Sequence, residues 1–407
     1  MSSLIQLALY KVKRPFHFIK TGILKGLPAQ IKYRFPAKNL TIYTITGTDG
    51  KTTSSTILYH VLKAQGHKVA LLTTVAAYMG NKEIDTGFHV TSPQPQDLQK
   101  FMREMVDKGF THLILEVTSH GIYQYRIWGV TPTVVGLTNI SAEHLDYHVN
   151  YDEYLAAKAE LLRLADTVVL NADDVSFHRV KKYLSIDTDI KQYSEEMKLP
   201  NKVAKTIKGR FPEKYNQQNA RLVYMIAQQA GVSDENYISG IQKFPGIPGR
   251  MQFIKTNKRF DIVVDFAHTP QGLESALTAL RDYMKKNKKS GRLIAVYGSA
   301  GLRDRSKRPK MGEIGVRLAD IVILTAEDPR TEDVWSILRQ MKEGLTEGHD
   351  TVLSIADRGE AIRFALQELA KPGDVVGVFG KGHEKSMCFG TTEQPWNDTE
   401  AILERAK

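Results

Sequence analysis

Thr44-Ile-Thr-Gly-Thr-Asp-Gly-Lys-Thr-Thr53 follows a β-branched run, Leu40-Thr-Ile-Tyr-Thr-Ile45, and precedes a helical pattern with Ile57, Leu58, Val61 and Leu62 on one face. Strand, glycine turn, lysine, hydroxyls and helix in that order predict a phosphate cradle. Gly47 and Gly50 let the backbone turn its N–H groups, with those of Thr48 and Asp49, toward an anion, and the helix N-terminus adds partial positive charge. Lys51 is placed to reach the outer phosphates, and the hydroxyl of Thr52 or Thr53 to ligate Mg²⁺. Ile45 stands where the usual phosphate-loop pattern has its first glycine, so the motif alone also fits an ordinary βα turn.

Working outward, the pattern alternates strand and helix from residue 39 to about 205. Strands are expected at 40–46, 69–74, 112–117, 133–138 and 167–171, and helices at 52–65, 95–108 and 151–165. This alternation predicts a doubly wound, mostly parallel α/β sheet, with ligands beyond the carboxyl ends of its strands. Residues 183–215 are polar and weakly patterned, and a helix is expected at 216–231. Phe244-Pro-Gly-Ile-Pro-Gly-Arg250 reads as a hinge. Strands at 261–266, 292–298, 320–325 and 374–379 then alternate with helices near 270–286, 308–318, 333–344, 357–370 and 398–406, a second, Rossmann-like α/β domain. The expected division is a basic apolar arm (1–38), a central nucleotide-binding domain (39–245) and a C-terminal domain (246–407).

The net charge is +11, yet residues 1–38 hold eight cations (Lys11, Lys13, Arg14, Lys20, Lys25, Lys32, Arg34, Lys38) and no acid, leaving +11 − 8 = +3 for the rest. The basicity belongs to the arm, so a nucleic-acid-binding body is not expected. Pro15, Gly22 and Pro28 are expected to break the arm into short pieces. It either packs on the body with its lysines solvated or lies on an anionic membrane surface. One cysteine, Cys388, excludes an intrachain disulfide and a Cys-rich zinc site, which fits a cytoplasmic protein.

Three further clusters carry chemistry. Glu116 ends the apolar strand Leu113-Ile-Leu-Glu-Val117; a carboxylate there suits Mg²⁺, although such acids also cap helices. In Thr138-Asn-Ile-Ser-Ala-Glu-His-Leu-Asp-Tyr-His148, His144, Asp146 and His148 are candidate metal or phosphate contacts, or structural groups. Lys158 sits in an Ala/Leu helix face, either snorkelling or desolvated. A neutral amine there adds CO₂, and the carbamate turns a cation into a metal-binding anion.

Together these residues resemble the Mur ligase family, closest to its MurE type, over residues 40–400. The resemblance rests on Gly47–Thr52, Thr91-Ser-Pro93 with Asp97-Leu-Gln99, and Glu116-Val-Thr-Ser-His-Gly121. It continues through Thr138–His148, Ala156-Ala-Lys-Ala159, Asn216 with Asn219, and Pro248-Gly-Arg250. The last domain adds Asp265-Phe-Ala-His-Thr-Pro270, Arg303–Pro309, Asp328-Pro-Arg330 and Gly380-Lys-Gly-His-Glu384.

The resemblance implies an ATP-dependent ligase in peptidoglycan precursor synthesis that joins an amino acid to a muramoyl-dipeptide-like acceptor through an acyl phosphate. Lys51, Glu116, His144 and Lys158 would be catalytic. Thr52, Glu116, His144 and carbamylated Lys158 would hold metal. Asn219, Arg250, Asp265 and His268 would contact nucleotide. Thr91, Ser92, Thr118, Gln124 and Arg126 would hold the acceptor. Arg303, Asp328, Pro329, Arg330, Gly380 and Glu384 would select the amino acid, meso-diaminopimelate or else L-lysine.

Two departures stand out. Only 46 residues precede Gly47, where the family carries a uridine-nucleotide-binding domain, so most of that domain is expected to be missing. Glu327-Asp-Pro-Arg330 also replaces Asp-Asn-Pro-Arg, the form associated with diaminopimelate. The alternative is a Mur-fold ligase for a UDP-free, lipid-linked or non-muramoyl carboxylate, working at the inner face of the membrane. A non-catalytic scaffold is disfavoured by the presence of Lys51, Glu116, His144 and Lys158. A monomer is expected.

Overall fold

The computed structural model describes residues 3–84, 92–141, 145–343, 345 and 348–406. Thr91 and His144 therefore lie outside the described residues. The chain divides into two compact units, Met1–Phe244 and Pro245–Lys407.

The first unit is built on an eight-stranded sheet: β1 (Thr41–Thr46), β2 (Val69–Leu72), β3 (Ala77–Met79), β4 (Lys82–Ile84), β5 (His112–Glu116), β6 (Val134–Leu137), β7 (Thr167–Asn171) and β8 (Asp189–Tyr193). Their order is β4-β3-β2-β5-β1-β6-β7-β8. β2, β5, β1, β6, β7 and β8 run parallel, while β3 and β4 add an antiparallel edge. β1 lies between β5 and β6, so the chain reverses its winding there, and a crevice opens beyond the carboxyl ends of these strands. The phosphate loop leaves β1 at that point.

The helix Lys51–Ala64 buries Ile57, Leu58, Val61 and Leu62 completely, each worth roughly 1.5–3 kcal/mol. On the sheet, Ile42, Leu113, Leu115, Val135 and Val168 share a core with Leu98, Met102 and Met105 of helix Pro95–Asp107 and Leu155 and Leu161 of helix Tyr151–Leu162. The weakly patterned 183–215 stretch contains β8 and the helix Asn201–Arg210, and a further helix, Asp234–Lys243, precedes the boundary. These polar elements need bury only a few side chains, among them Tyr193, Val203 and Ile207, so their sequences show little apolar periodicity.

The arm is not broken into short pieces. Helix Ser3–His17 keeps Pro15 inside it, a widened helical stretch spans Phe18–Gly26, and a last helix runs Leu27–Lys32 with Pro28 in its first turn. Tertiary contacts override the breakers. Gly22 and Gly26 lie against the Trp128 ring, where a Cβ would come within 2.9 and 2.5 Å of it. Tyr10 stacks on Tyr123 with centroids 4.4 Å apart, and Arg14 forms an ion pair with Glu160.

The second unit has a six-stranded sheet: β9 (Gln252–Ile254), β10 (Asp261–Asp265), β11 (Leu293–Tyr297), β12 (Ile321–Leu324), β13 (Val352–Ser354) and β14 (Val375–Phe379). A hairpin of β15 (Ser386–Phe389) and β16 (Thr392–Pro395) follows. The sheet order is β13-β12-β11-β14-β10-β9, parallel except for β9. Successive side chains alternate between faces. Val263, Ala295 and Tyr297 pack with Leu277, Met311 and Leu338 of one helix layer. Ile262, Val264, Ile294 and Val296 pack with Ile362, Leu366 and Ile402 of the other. Helices on both faces explain the uninterrupted apolar strands that read so clearly in the sequence.

Candidate active site

The loop after β1 is held in shape by its own unit. Gly47 has φ +151° and Gly50 φ +79°, and a Cβ at either would collide with Thr138 or Asn219, respectively. The Thr48 N–H donates to the Asn139 carbonyl at 2.8 Å, and the Asp49 N–H to Asn139 Oδ1 at 3.0 Å. Thr138 Oγ1 donates to the Asp49 carbonyl at 2.6 Å. Thr48 Oγ1 lies 3.0 Å from the Tyr154 hydroxyl. Lys51 Nζ folds back over the loop to the carbonyls of Thr48 (2.6 Å) and Gly47 (3.2 Å). The expected strand, glycine turn and helix are present, but the Thr48 and Asp49 N–H groups are turned onto Asn139, after β6, and not left open to an anion.

Of the two candidate hydroxyls, Thr52 is the one joined to the carboxylate. Its Oγ1 donates to Glu116 Oε2 at 2.9 Å. Glu116 is 1% exposed and also accepts from the Thr74 N–H at 3.2 Å and the Thr74 hydroxyl at 3.0 Å. Thr74 follows β2 and drew no attention in the sequence; its position after a strand neighbouring β5 was the available signal. Among the described residues no three His, Cys, Asp or Glu side chains converge as a metal cluster. One carboxylate with hydroxyls is nevertheless a hard-oxygen set, and it fits Mg²⁺, which keeps most of its own waters.

Lys158 is buried at 1% exposure. Its Nζ donates to the Gly47 carbonyl at 2.6 Å and lies 4.6 Å from the Tyr154 ring centroid. It does not snorkel to solvent; it touches the phosphate loop. His148 is a structural residue, not a ligand. It is fully buried, with Nδ1 2.7 Å from the Tyr10 hydroxyl and Nε2 2.9 Å from Ser119 Oγ. Asn219, on helix Lys214–Gln229, is buried against Gly50.

The described acceptor candidates form one network. Ser92 Oγ is 3.2 Å from Thr118 Oγ1, and Thr118 caps the short helix Ser119–Tyr123 by accepting from the Gly121 N–H. Arg126 donates to the Ser92 carbonyl at 3.0 Å and to Gln124 Oε1 at 2.8 Å. Gln124 donates to the Tyr147 hydroxyl at 2.7 Å.

In the second unit, Arg250, Asp265, His268 and His383 gather around Phe266. Asp265 accepts from the N–H groups of Met251 (2.7 Å) and Ala267 (2.8 Å). Arg250 lies 4.5 Å over the Phe266 ring, with its Nε buried and unpartnered. The rings of His268 and His383 sit 4.5 and 4.9 Å from that of Phe266. Burial, then Arg250, His268 and Lys381, push His383 down to about 3, so it is neutral at physiological pH.

The amino-acid candidates cluster as well. Lys381 Nζ donates to Asp328 Oδ1 at 2.8 Å and pairs with Glu384. Burial disfavours its charge, yet the two carboxylates hold it above the ordinary lysine value. Arg330, at φ +53°, donates to the Gly301 carbonyl at 2.7 Å. Gly380 leaves room for Glu327, whose Oε2 would lie 2.7 Å from a Cβ there. Arg303 is exposed on the loop after β11. Arg358, which the motifs did not flag, forms a fully buried bidentate pair with Asp398. It also donates to the carbonyls of Ala326 and Phe379, so it fixes the starts of both amino-acid loops.

Comparison with known proteins agrees with this layout. Residues 45–229 match the Mur ligase middle domain, and residues 249–382 the Mur ligase glutamate ligase domain. The UDP-N-acetylmuramoyl-L-alanyl-D-glutamate–2,6-diaminopimelate ligase of Clostridium botulinum is 36% identical over 394 residues, covering 92% of this chain and 80% of the relative. Its namesake from Thermosynechococcus vestitus is 34% identical, covering 94% and 80%. A solved structure of a ligase with that name superposes with a TM-score of 0.59 at 27% identity, covering 93% of this chain and 81% of the other. MurF from Acinetobacter baumannii shares the fold at a TM-score of 0.65 and 17% identity, over 93% of this chain and 79% of its own. The phosphate loop, its carboxylate partner and both matched domains lead to one assignment: this chain belongs to the Mur ligase family of ATP-dependent amino-acid ligases.

Proposed function

We propose that the chain joins meso-diaminopimelate to the terminal carboxylate of a UDP-N-acetylmuramoyl-L-alanyl-D-glutamate-type acceptor. The observation that carries this reading is the identity of 36% over 92% of the chain to a ligase so named. The Thr52–Glu116 pair at the phosphate loop supports it. The N-terminus of the helix that starts at Lys51, with the Lys51 side chain, grips the triphosphate. Thr52 and Glu116, with His144, hold Mg²⁺, which neutralises phosphate charge. Ser92, Thr118, Gln124 and Arg126, with Thr91, orient the acceptor. Its carboxylate oxygen takes the γ-phosphoryl group as ADP leaves. The amine of the incoming amino acid then attacks the acyl carbon, phosphate departs and the amine loses a proton. A poor electrophile is thereby given a leaving group, and the protein contributes position and charge neutralisation.

Lys158 acts as a carbamate supporting a second metal ion; its burial beside the loop is the support for this. The choice of diaminopimelate over L-lysine survives the Asp328 departure, because the added negative charge is met by Lys381. Arg303, Pro329, Arg330, Gly380 and Glu384 complete the amino-acid site. Asn219 is a nucleotide contact of the first unit, and Arg250, Asp265 and His268 are those of the second. Each chain carries all of these loops and works as a monomer.

The arm holds this cytoplasmic enzyme at the inner face of the membrane. No helix of the described residues is long and apolar enough to cross one. Val12, Phe16, Ile19, Leu24 and Ile31 are nevertheless exposed on a segment whose charged side chains are all cationic, the pattern of an interfacial helix.

Phosphate release from ATP tests the reaction. It should require both UDP-MurNAc-L-Ala-D-Glu and one amino acid, with meso-diaminopimelate preferred over L-lysine; release independent of the acceptor would defeat the reading. Co-sedimentation with anionic vesicles tests the arm. The full chain should pellet and a V12E/I19E/L24E variant should not; equal partitioning removes the membrane contact.

A further inference from the structure

The arm does more than cover the body. Its first helix and the acceptor segment enclose a cavity of about 590 Å³, within the size range of small-molecule sites. Lys13, Phe16 and His17 line it from the arm, and Tyr123, Gln124 and Tyr147 from the opposite wall. Gln124 belongs to the acceptor network, through Arg126 on one side and Tyr147 on the other. The cavity therefore begins where that network ends, in the same unit.

Its chemistry is specific. Phe16 and Tyr147 offer apolar ring surface of the kind that packs against a sugar ring, while Tyr123, already stacked on Tyr10, backs the wall. Among the described residues no Asp or Glu lines the space. Of the described carboxylates, Glu153 and Glu160 meet this helix and are engaged by Lys11 at 3.7 Å and by Arg14. His17 is held below its ordinary value by burial and by Lys20, Lys13 and Arg126, so cations converge there. A ring binder with positive charge suits a sugar that carries phosphate.

We propose that this cavity, walled by the arm, binds the glycosyl-diphosphate part of the acceptor, with Lys13 contacting the diphosphate and the aromatic side chains contacting the sugar. The inference rests on the ligase reading above. The diphosphate has two sources, a nucleotide or a polyprenyl lipid.

Three acceptors separate them: UDP-MurNAc-L-Ala-D-Glu, a short-chain polyprenyl-diphosphate muramoyl-dipeptide, and MurNAc-L-Ala-D-Glu without diphosphate. Phosphate release by the full chain should favour at least one diphosphate acceptor over the third. Lys13→Glu should shrink that preference about tenfold through KM, and Lys13→Arg should restore it. The carrier whose preference collapses is the source. An identical preference in wild type and Lys13→Glu, with both folded by thermal midpoint, overturns the inference. Should no acceptor turn over, the ligase reading has failed, and calorimetry with UDP-MurNAc then decides. Binding that is weakened at least tenfold in Lys13→Glu upholds the cavity; no binding, or equal binding, overturns it.

Discussion

Glu116→Gln isolates the role of the carboxylate because it keeps the shape and removes the charge. Glu116 accepts three hydrogen bonds, from Thr52 Oγ1 and from the N–H and hydroxyl of Thr74. An amide retains one accepting oxygen, and both hydroxyls are able to accept from its NH₂ group, so pairing is largely preserved. Charge-assisted bonds contribute about 1.5–3 kcal/mol and neutral ones about 0.5–1.5, so the loss over the three bonds is roughly 3–4.5 kcal/mol. Relief from burying an anion at 1% exposure, several kcal/mol by itself, offsets most of this. The net change in stability should stay within about 1–2 kcal/mol, a shift of a few degrees in Tm at about 2–4 °C per kcal/mol for a domain of this size. Metal binding has no such compensation. Changes even beyond the direct ligands of a metal cost about 10–100-fold in affinity or activity, so a ligand should cost at least as much. The assay is phosphate release over a Mg²⁺ titration, with Tm measured in parallel without metal. The Mg²⁺ needed for half-maximal rate should rise at least tenfold while the metal-free Tm barely moves. Superimposable titrations for wild type and variant would refute the assignment, and a collapsed Tm would show that Glu116 serves the fold instead.

Lys158→Ala should abolish ligation, with partial rescue by small carboxylates that replace the missing anion; unchanged turnover would defeat the carbamate assignment. His383 gives a pH prediction with a definite sign. Its folded pKa, about 3, lies below the unfolded value near 6.5, so the unfolded chain binds the proton first. Its contribution to stability is therefore lost as pH falls below about 6.5, at up to roughly 1.4 kcal/mol per pH unit. His383→Gln should flatten that part of the chemical-denaturation profile, and identical slopes in the two proteins would refute the burial argument.

The phosphate loop was legible because its chemistry is local: glycines, lysine and hydroxyls within ten residues, with β1 before and a helix after. The buried parallel strands were legible for a similar reason, since both faces are covered and their central side chains are mostly apolar. The antiparallel edge β3–β4, β8, and the hairpin β15–β16 were missed because short or half-exposed strands need little apolar patterning. His148 was open to both readings. A histidine in a chemistry-rich motif suits a ligand or a structural group, and Tyr10 and Ser119 at its two ring nitrogens decide for the second.

What the chain determined by itself is the sequence of βα units and the position of the glycine loop after β1, with Lys51 opening the next helix and Glu116 closing β5. Those follow from backbone preferences and side-chain periodicities that act over a few residues. Tertiary structure alone decided that Thr52 and not Thr53 meets Glu116, that Thr74 joins them, and that Arg358 reaches two loops from a buried ion pair. It also decided that a proline-bearing arm folds as helix against Trp128 and Tyr123. These pairings join residues far apart in sequence, and their energies depend on desolvation and distance, which exist only once the sheet has brought its strand ends together.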